Sequence, residues 1–216
     1  MEQHTFNDLV EAFASEIEEL LDSTLAGETH LERLPTNAEK RRATFNASKV
    51  LHINHSGSKR LHLRCVFRLC TDSTGEYLAV EGSTFKVEFK ALSRFVPIVR
   101  FEYDRSAWNK PASHFQFHAD SVALGLLLAR AGKYDTAAQQ QDIHFPMGGH
   151  RFRVCLEDVI ELLIREFGAE PLAGWEERVQ SGRDTFYKAQ TETVIMRNLP
   201  TAVDLLRQQG FEIRKP

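Results

Sequence analysis

Apolar residues recur at three- and four-residue steps near the start of the chain: Phe6, Leu9, Val10, Phe13, Ile17, Leu20 and Leu21, with glutamates on the opposite side. That spacing predicts a helix over 6–25 that lays one stripe on a core. Thr5 with Asp8 three residues later forms a capping-box start, Asp standing in for the usual Glu or Gln, and Gly27 supplies a stop. Residues 28–58, broken by Pro35 and carrying the basic run at 39–42, read as a polar connection. From residue 59 the period drops to two. Leu61, Leu63, Cys65, Phe67 and Leu69 alternate with His62, Arg64, Val66 and Arg68, and Phe85, Val87 and Phe89 alternate with Lys86, Glu88 and Lys90. A third strand over 97–104 and a fourth, SHFQFHA, complete four consecutive alternating segments with short connections. They predict an antiparallel meander with one buried and one wet face.

After that meander, VALGLLLAR following Ser121 predicts a short helix, with a buried strand as the competing reading. Gly148-Gly149 has the composition of a two-residue hairpin turn, which would pair residues 143–147 with 150–154. Leu156, Val159, Ile160, Leu163, Ile164 and Phe167 then form the clearest helical stripe, ended by Gly168, and helical patterning continues to about residue 209. The expected organisation is an N-terminal amphipathic helix (1–27), a polar connection (28–58), an α+β core (59–168) and a helical C-terminal tail (169–216). The fold class is α+β, an antiparallel β-meander with helices packed on one face.

Side chains two apart on a strand share a face, so the wet face can be enumerated. It carries His62, Arg64 and Arg68, then Lys86, Glu88 and Lys90, then Arg100 and Glu102, then His114, Gln116 and His118. The expected hairpin adds His144, Arg151 and Arg153. This makes a locally basic surface in a chain whose formal net charge is only −3. Any anion binding must therefore come from a patch rather than a global field. His114 and His118 invite a metal reading, but four residues of strand separate their Cα atoms by roughly 13 Å. Two parallel imidazoles so far apart do not reach one zinc, and no metal or other cofactor is expected. The three cysteines lack metal-ligand spacing.

General acid–base chemistry suits the face better, because imidazole titrates near neutrality and one ring can take a proton while another gives one. His114, His118 and His144 are the catalytic candidates, and Arg64, Arg100, Arg151 and Arg153 the phosphate ligands. Tyr103 and Asp104, at the end of the third strand, are further candidates. The same residue types also suit an ordinary solvated sheet face. Aromatic residues that would stack bases are not read on it, since Phe85, Phe89, Phe115 and Phe117 point to the other side.

RFEYDR (100–105), PASHFQFHAD (111–120), the hairpin and the closing helix together resemble uncharacterised bacterial proteins around the TumE-type toxins of toxin–antitoxin pairs. The resemblance covers roughly 58–168, and this chain adds an N-terminal helix and a helical tail. It implies a bacterial, cytoplasmic, toxin-like protein, a metal-independent ribonuclease or other protein acting on RNA or nucleotides, under an antitoxin partner. The alternative is a non-catalytic subunit or adaptor of a defence- or phage-related assembly, docking through helix 6–25 or the tail. It is favoured by the lack of a P-loop, G-x-S-x-G or H-E-x-x-H motif. No secretory signal or membrane span is read.

Overall fold

The computed structural model describes residues 5–34, 41–53, 58–72, 77–91, 93–149 and 152–214. Its centre is an antiparallel sheet of seven strands, among the described residues, in simple chain order. They are β1 (Gly27–Arg33), β2 (Arg42–Ile53), β3 (Ser58–Thr71), β4 (Leu78–Ala91), β5 (Arg94–Asp104), β6 (Ser113–Phe117) and β7 (Phe145–Pro146). Helix α1 (Phe6–Thr24) precedes the sheet, and α2 (Val122–Arg130) and α3 (Tyr134–Ala138) lie between β6 and β7. Helices α4 (Leu156–Arg165), α5 (Trp175–Arg197) and α6 (Leu199–Gln208) follow it. The chain is α+β, with a helical C-terminal region, and no described helix is long and apolar enough to cross a membrane.

Register separates two kinds of row. Leu31, Ala47, Cys65, Phe85, Phe101, Phe115 and Phe145 stand opposite one another from β1 to β7. This side packs against α1, α4 and the start of α5 in one core that includes Leu21, Leu63, Val87, Val159, Ile160 and Val179. Phe45 and Phe67 stack at 5.0 Å between centroids, and Phe13 of α1 meets both edge-on at 5.9 and 5.4 Å. Offset and edge-on contacts of this kind are the favoured aromatic geometries. α1 begins as expected: the Thr5 hydroxyl accepts from the Asp8 amide at 3.2 Å, and the Asp8 carboxylate accepts from the Thr5 amide at 2.8 Å.

The stretch read as a polar connection holds two strands. β2 buries Ala43, Phe45, Ala47, Lys49 and Leu51 on its inward side. Lys49 is a fully buried lysine whose Nζ donates to Asp22 of α1 at 2.6 Å and to Thr29 of β1 at 2.9 Å. A buried cation is tolerated only when paired and hydrogen-bonded, and here the pair ties helix to sheet. The expected hairpin is not seen among the described residues, of which 150 and 151 are not part. Gly148 and Gly149 take φ of 83° and 80°, but before them only Phe145–Pro146 joins the sheet, residues 152–154 form no strand, and Met147 and Val154 line a crevice on the core side with Phe101 and Tyr103.

Candidate functional site

One residue along from the core row, His30, Ser48, Arg64, Lys86, Arg100 and Gln116 stand opposite one another from β1 to β6. With strands about 4.8 Å apart, the three cations Arg64, Lys86 and Arg100 span roughly 10 Å. Lys86 is partly buried and Nζ meets Glu88 at 2.6 Å, while Glu88 also meets His62 Nδ1 at 3.1 Å. Burial alone would raise the Glu88 carboxyl, but Lys86 and His62 outweigh it and hold the group below the usual carboxylate range. Arg64 is exposed, with no carboxylate within salt-bridge distance among the described residues. It lies near enough to Glu88 to help hold that carboxyl down, yet it forms no close ion pair of its own among the described residues.

At the β5–β6 end the face becomes a network around Glu102. This carboxylate accepts from Lys110 at 2.8 Å, meets Arg100 Nε at 3.1 Å and accepts from His114 Nε2 at 3.0 Å. Burial would raise it, yet Lys110, Arg100 and His114 keep it lowered. Arg100 also donates to the side-chain oxygen of Gln116 from Nε at 2.9 Å and from Nη2. His114 is fully buried, and its Nδ1 donates to the Pro111 carbonyl at 2.8 Å. Both ring nitrogens are therefore engaged inside the protein, and the ring has no edge left for a substrate.

The structure brings His144 to His114, their rings meeting edge-on at 4.6 Å. His144 also faces Gln116 at 3.4 Å, because β7 pairs Phe145 with Phe115 and so carries residue 144 beside Gln116. His118 lies past the end of β6, its backbone N–H donating to the Ile98 carbonyl at 2.9 Å. Its Nε2 is buried without a hydrogen-bond partner. Burial, then Arg100 and Lys86, push the His118 ring down from its ordinary value, and burial, His114 and Lys110 do the same to His144. Arg100 acts on both rings, and both favour their neutral form.

Other expected members lie elsewhere. Arg153 is buried on the core side, its guanidinium between the Tyr103 ring at 4.9 Å and the Phe186 ring of α5 at 5.0 Å. Without the hairpin, nothing returns it to the polar face. Tyr103 is buried beneath it, and Asp104 pairs with Arg68 at 3.1 Å and accepts from the Ser106 amide at 2.9 Å, a loop-capping arrangement. Gly82 sits between Arg68 and Asp104 in register, and a Cβ there would collide with the Arg68 guanidinium on its way across. Arg151 lies outside the described residues.

Two residues that matter to the face escaped the sequence reading. Lys110, in the loop before β6, was placed in no cluster, although its position two residues before Ala112 puts it within reach of the strand end. The pattern of the sequence gives Phe95 no face, and the structure sets its ring, tilted by 35°, against His62 at 4.6 Å between centroids. Among the described residues no group of three or more His, Cys, Asp or Glu could hold a metal ion. Comparison with protein-family models, with curated proteins and with solved structures finds no match.

Proposed function

We propose that the protein acts on RNA or nucleotides through the polar face of its sheet, with Arg64, Lys86 and Arg100 engaging phosphate. The observation that carries this reading is the unbroken cross-strand row of three cations, one of them without an ion pair among the described residues. Phosphate contacts of this kind give affinity without reading sequence. Metal-independent cleavage of a phosphodiester would then fall to His118, just past the end of β6, and His144, beside the Gln116 that pairs with Arg100, two rings that favour the neutral form. One would take the proton of the attacking 2′-hydroxyl while the other, in its protonated fraction, gives one to the leaving 5′-oxygen. Arg100 would offset the charge gathering on phosphorus. His114 acts through His144 as a positioning residue, held by Glu102 and Pro111.

A fluorophore-quencher RNA of about ten nucleotides is the direct test, with the intact chain and no added metal. Cleavage lost in His118→Ala and in His144→Ala, with RNA affinity kept and melting curves unchanged, is the expected result. Binding without cleavage in the native chain removes the catalytic half and keeps the phosphate face. The toxin-like part of the reading rests on the sequence resemblance. Growth arrest on expression in bacteria, relieved by His118→Ala, is its test.

A second reading, a non-catalytic subunit of an assembly, is favoured by apolar surface that no described residue of the chain covers. α2 buries none of its side chains, leaving Val122, Leu126 and Leu127 exposed, and α6 exposes Leu199, Leu205 and Leu206. Unaltered RNA binding together with loss of a co-purifying protein in Leu126→Lys would make the two readings parts of one.

A further inference from the structure

The polar face has a second feature at its other end, made by one extra residue. Val87 stands opposite Val99, but Glu88 stands opposite Pro97, so Ile98 is bulged out of the β4–β5 register. A single inserted residue reverses which side every later side chain takes. Without it Phe95 and Pro97 would continue the core side with Val99. With it Phe95 stands opposite Lys90 on the polar side, half-exposed, its ring across His62 and Lys90 Nζ 5.9 Å from its centre. Facing it across the sheet are Glu28, His30, Ser48 and Val50, and the groove between has a volume of about 440 Å³. Ser48, on the groove wall, is the register partner of Arg64, and Arg64 of Lys86. The groove therefore opens onto the start of the cationic row.

We infer that this groove takes the base of a nucleotide, its ring against Phe95 and its phosphate on Arg64. The inference rests on the phosphate-binding reading above and adds to it where, and against what, the base is held. Ring-on-ring contact is the sequence-tolerant way proteins hold unpaired bases, and Val50 supplies an apolar wall opposite. Volumes of this order suit a small ligand. Ser48 and His30 offer hydrogen bonds to the base edge, and the Glu28 carboxylate only accepts, which selects bases with an exocyclic amino group. Adenine, guanine and cytosine qualify, whereas uracil carries carbonyls at both exocyclic positions and offers the carboxylate only its ring N3–H. Lys86, the register partner of Arg64, lies four residues along β4 from Lys90, the partner of Phe95, about 13 Å, a span to be bridged by the ribose and the reach of the Phe95 and Arg64 side chains.

The probes are AMP, UMP, ribose 5-phosphate and a four-nucleotide oligoadenylate, titrated calorimetrically into the full-length chain. AMP is expected to bind more tightly than both UMP and ribose 5-phosphate. Phe95→Ala should weaken AMP about tenfold and leave ribose 5-phosphate unchanged. Phe95→Trp should restore AMP, a control for any loosening of the bulge, and Arg64→Ala should weaken all four probes. Oligoadenylate binding well above AMP, and reduced by Lys86→Ala, identifies a strand as the ligand, and equal affinity identifies the free nucleotide. If Phe95→Ala leaves AMP untouched while Arg64→Ala weakens it, the groove is overturned and the phosphate face survives. If the native chain binds none of the probes, both readings fall together.

Discussion

The two faces of this sheet are built from alternate residues of the same strands, yet they solve opposite problems. On one side Ala47, Cys65, Phe85, Phe101 and Phe115 form an apolar row, and the buried lysine two residues along β2, Lys49, is matched by Asp22 and Thr29. On the other, Ser48, Arg64, Lys86, Arg100 and Gln116 form a row whose cations are only partly matched. Glu88 and Glu102 hold Lys86 and Arg100 in place without leaving the row neutral, since Lys110 also shares Glu102 and Arg64 forms no ion pair among the described residues. A face built only for solubility has no need to fix its cations in a line. Satisfied packing on one side is what permits an unsatisfied charge pattern on the other.

The largest way to break this contrast is on the dry side. Phe45→Ala removes a buried ring in contact with Phe13 and Phe67, and the loss should be about 3–5 kcal/mol of stability in a denaturant titration. Affinity for RNA, measured on the folded fraction, should not change. Glu102→Ala on the wet side separates the two properties further. It leaves His114 and Lys110 without their shared acceptor and should cost about 1–3 kcal/mol. Removing a carboxylate from the cationic face should at the same time tighten RNA binding, the reverse of what a general loss of structure would do.

Acid acts on the wet side by degrees. His62, His118 and His144 all have folded-state values below the ordinary 6.5, chiefly through burial, so the unfolded chain binds protons more readily. Stability from these rings is present above about pH 6.5 and is lost as pH falls through their lowered values. Glu88 and Glu102, held below the ordinary 4.5 despite burial, behave alike at lower pH, their contribution fading as pH falls beneath that value. Melting temperature should therefore be level near neutrality and decline in two stages, the first blunted in His118→Ala.

How much of this could be read from the residues alone differs from strand to strand. β3 to β6 announce themselves, because large apolar side chains alternate with charged ones and each turn is polar. β2 does not, because its inward positions include two alanines and Lys49 while its outward ones are Thr44, Asn46 and Ser48. The contrast on which periodicity depends is weak there, and one buried lysine reverses it. Phe95 was hidden by the parity change at Ile98. Pro97 was the available signal, since proline within a strand marks an edge or a bulge. His114 lies on the expected face, but its burial comes from the Pro111 carbonyl, Glu102 and His144 closing around it, which no local pattern contains. Arg153 was assigned to the polar side by a hairpin that two glycines suggested and the core side reclaimed.

The smallest expected change in stability belongs to Arg64, the residue on which phosphate binding at this face most depends. Arg64→Ala removes an exposed side chain, and melting should shift by no more than about 0.5 kcal/mol. The decisive measurement is the affinity of the native chain and Arg64→Ala for a short single-stranded RNA over a series of salt concentrations. If three cations meet phosphates, the logarithm of the binding constant should fall against the logarithm of salt with a slope of about −2, and Arg64→Ala should flatten it by about 0.7. RNA binding indifferent to salt, or a slope that Arg64→Ala leaves as it was, would contradict the assignment of this face to phosphate.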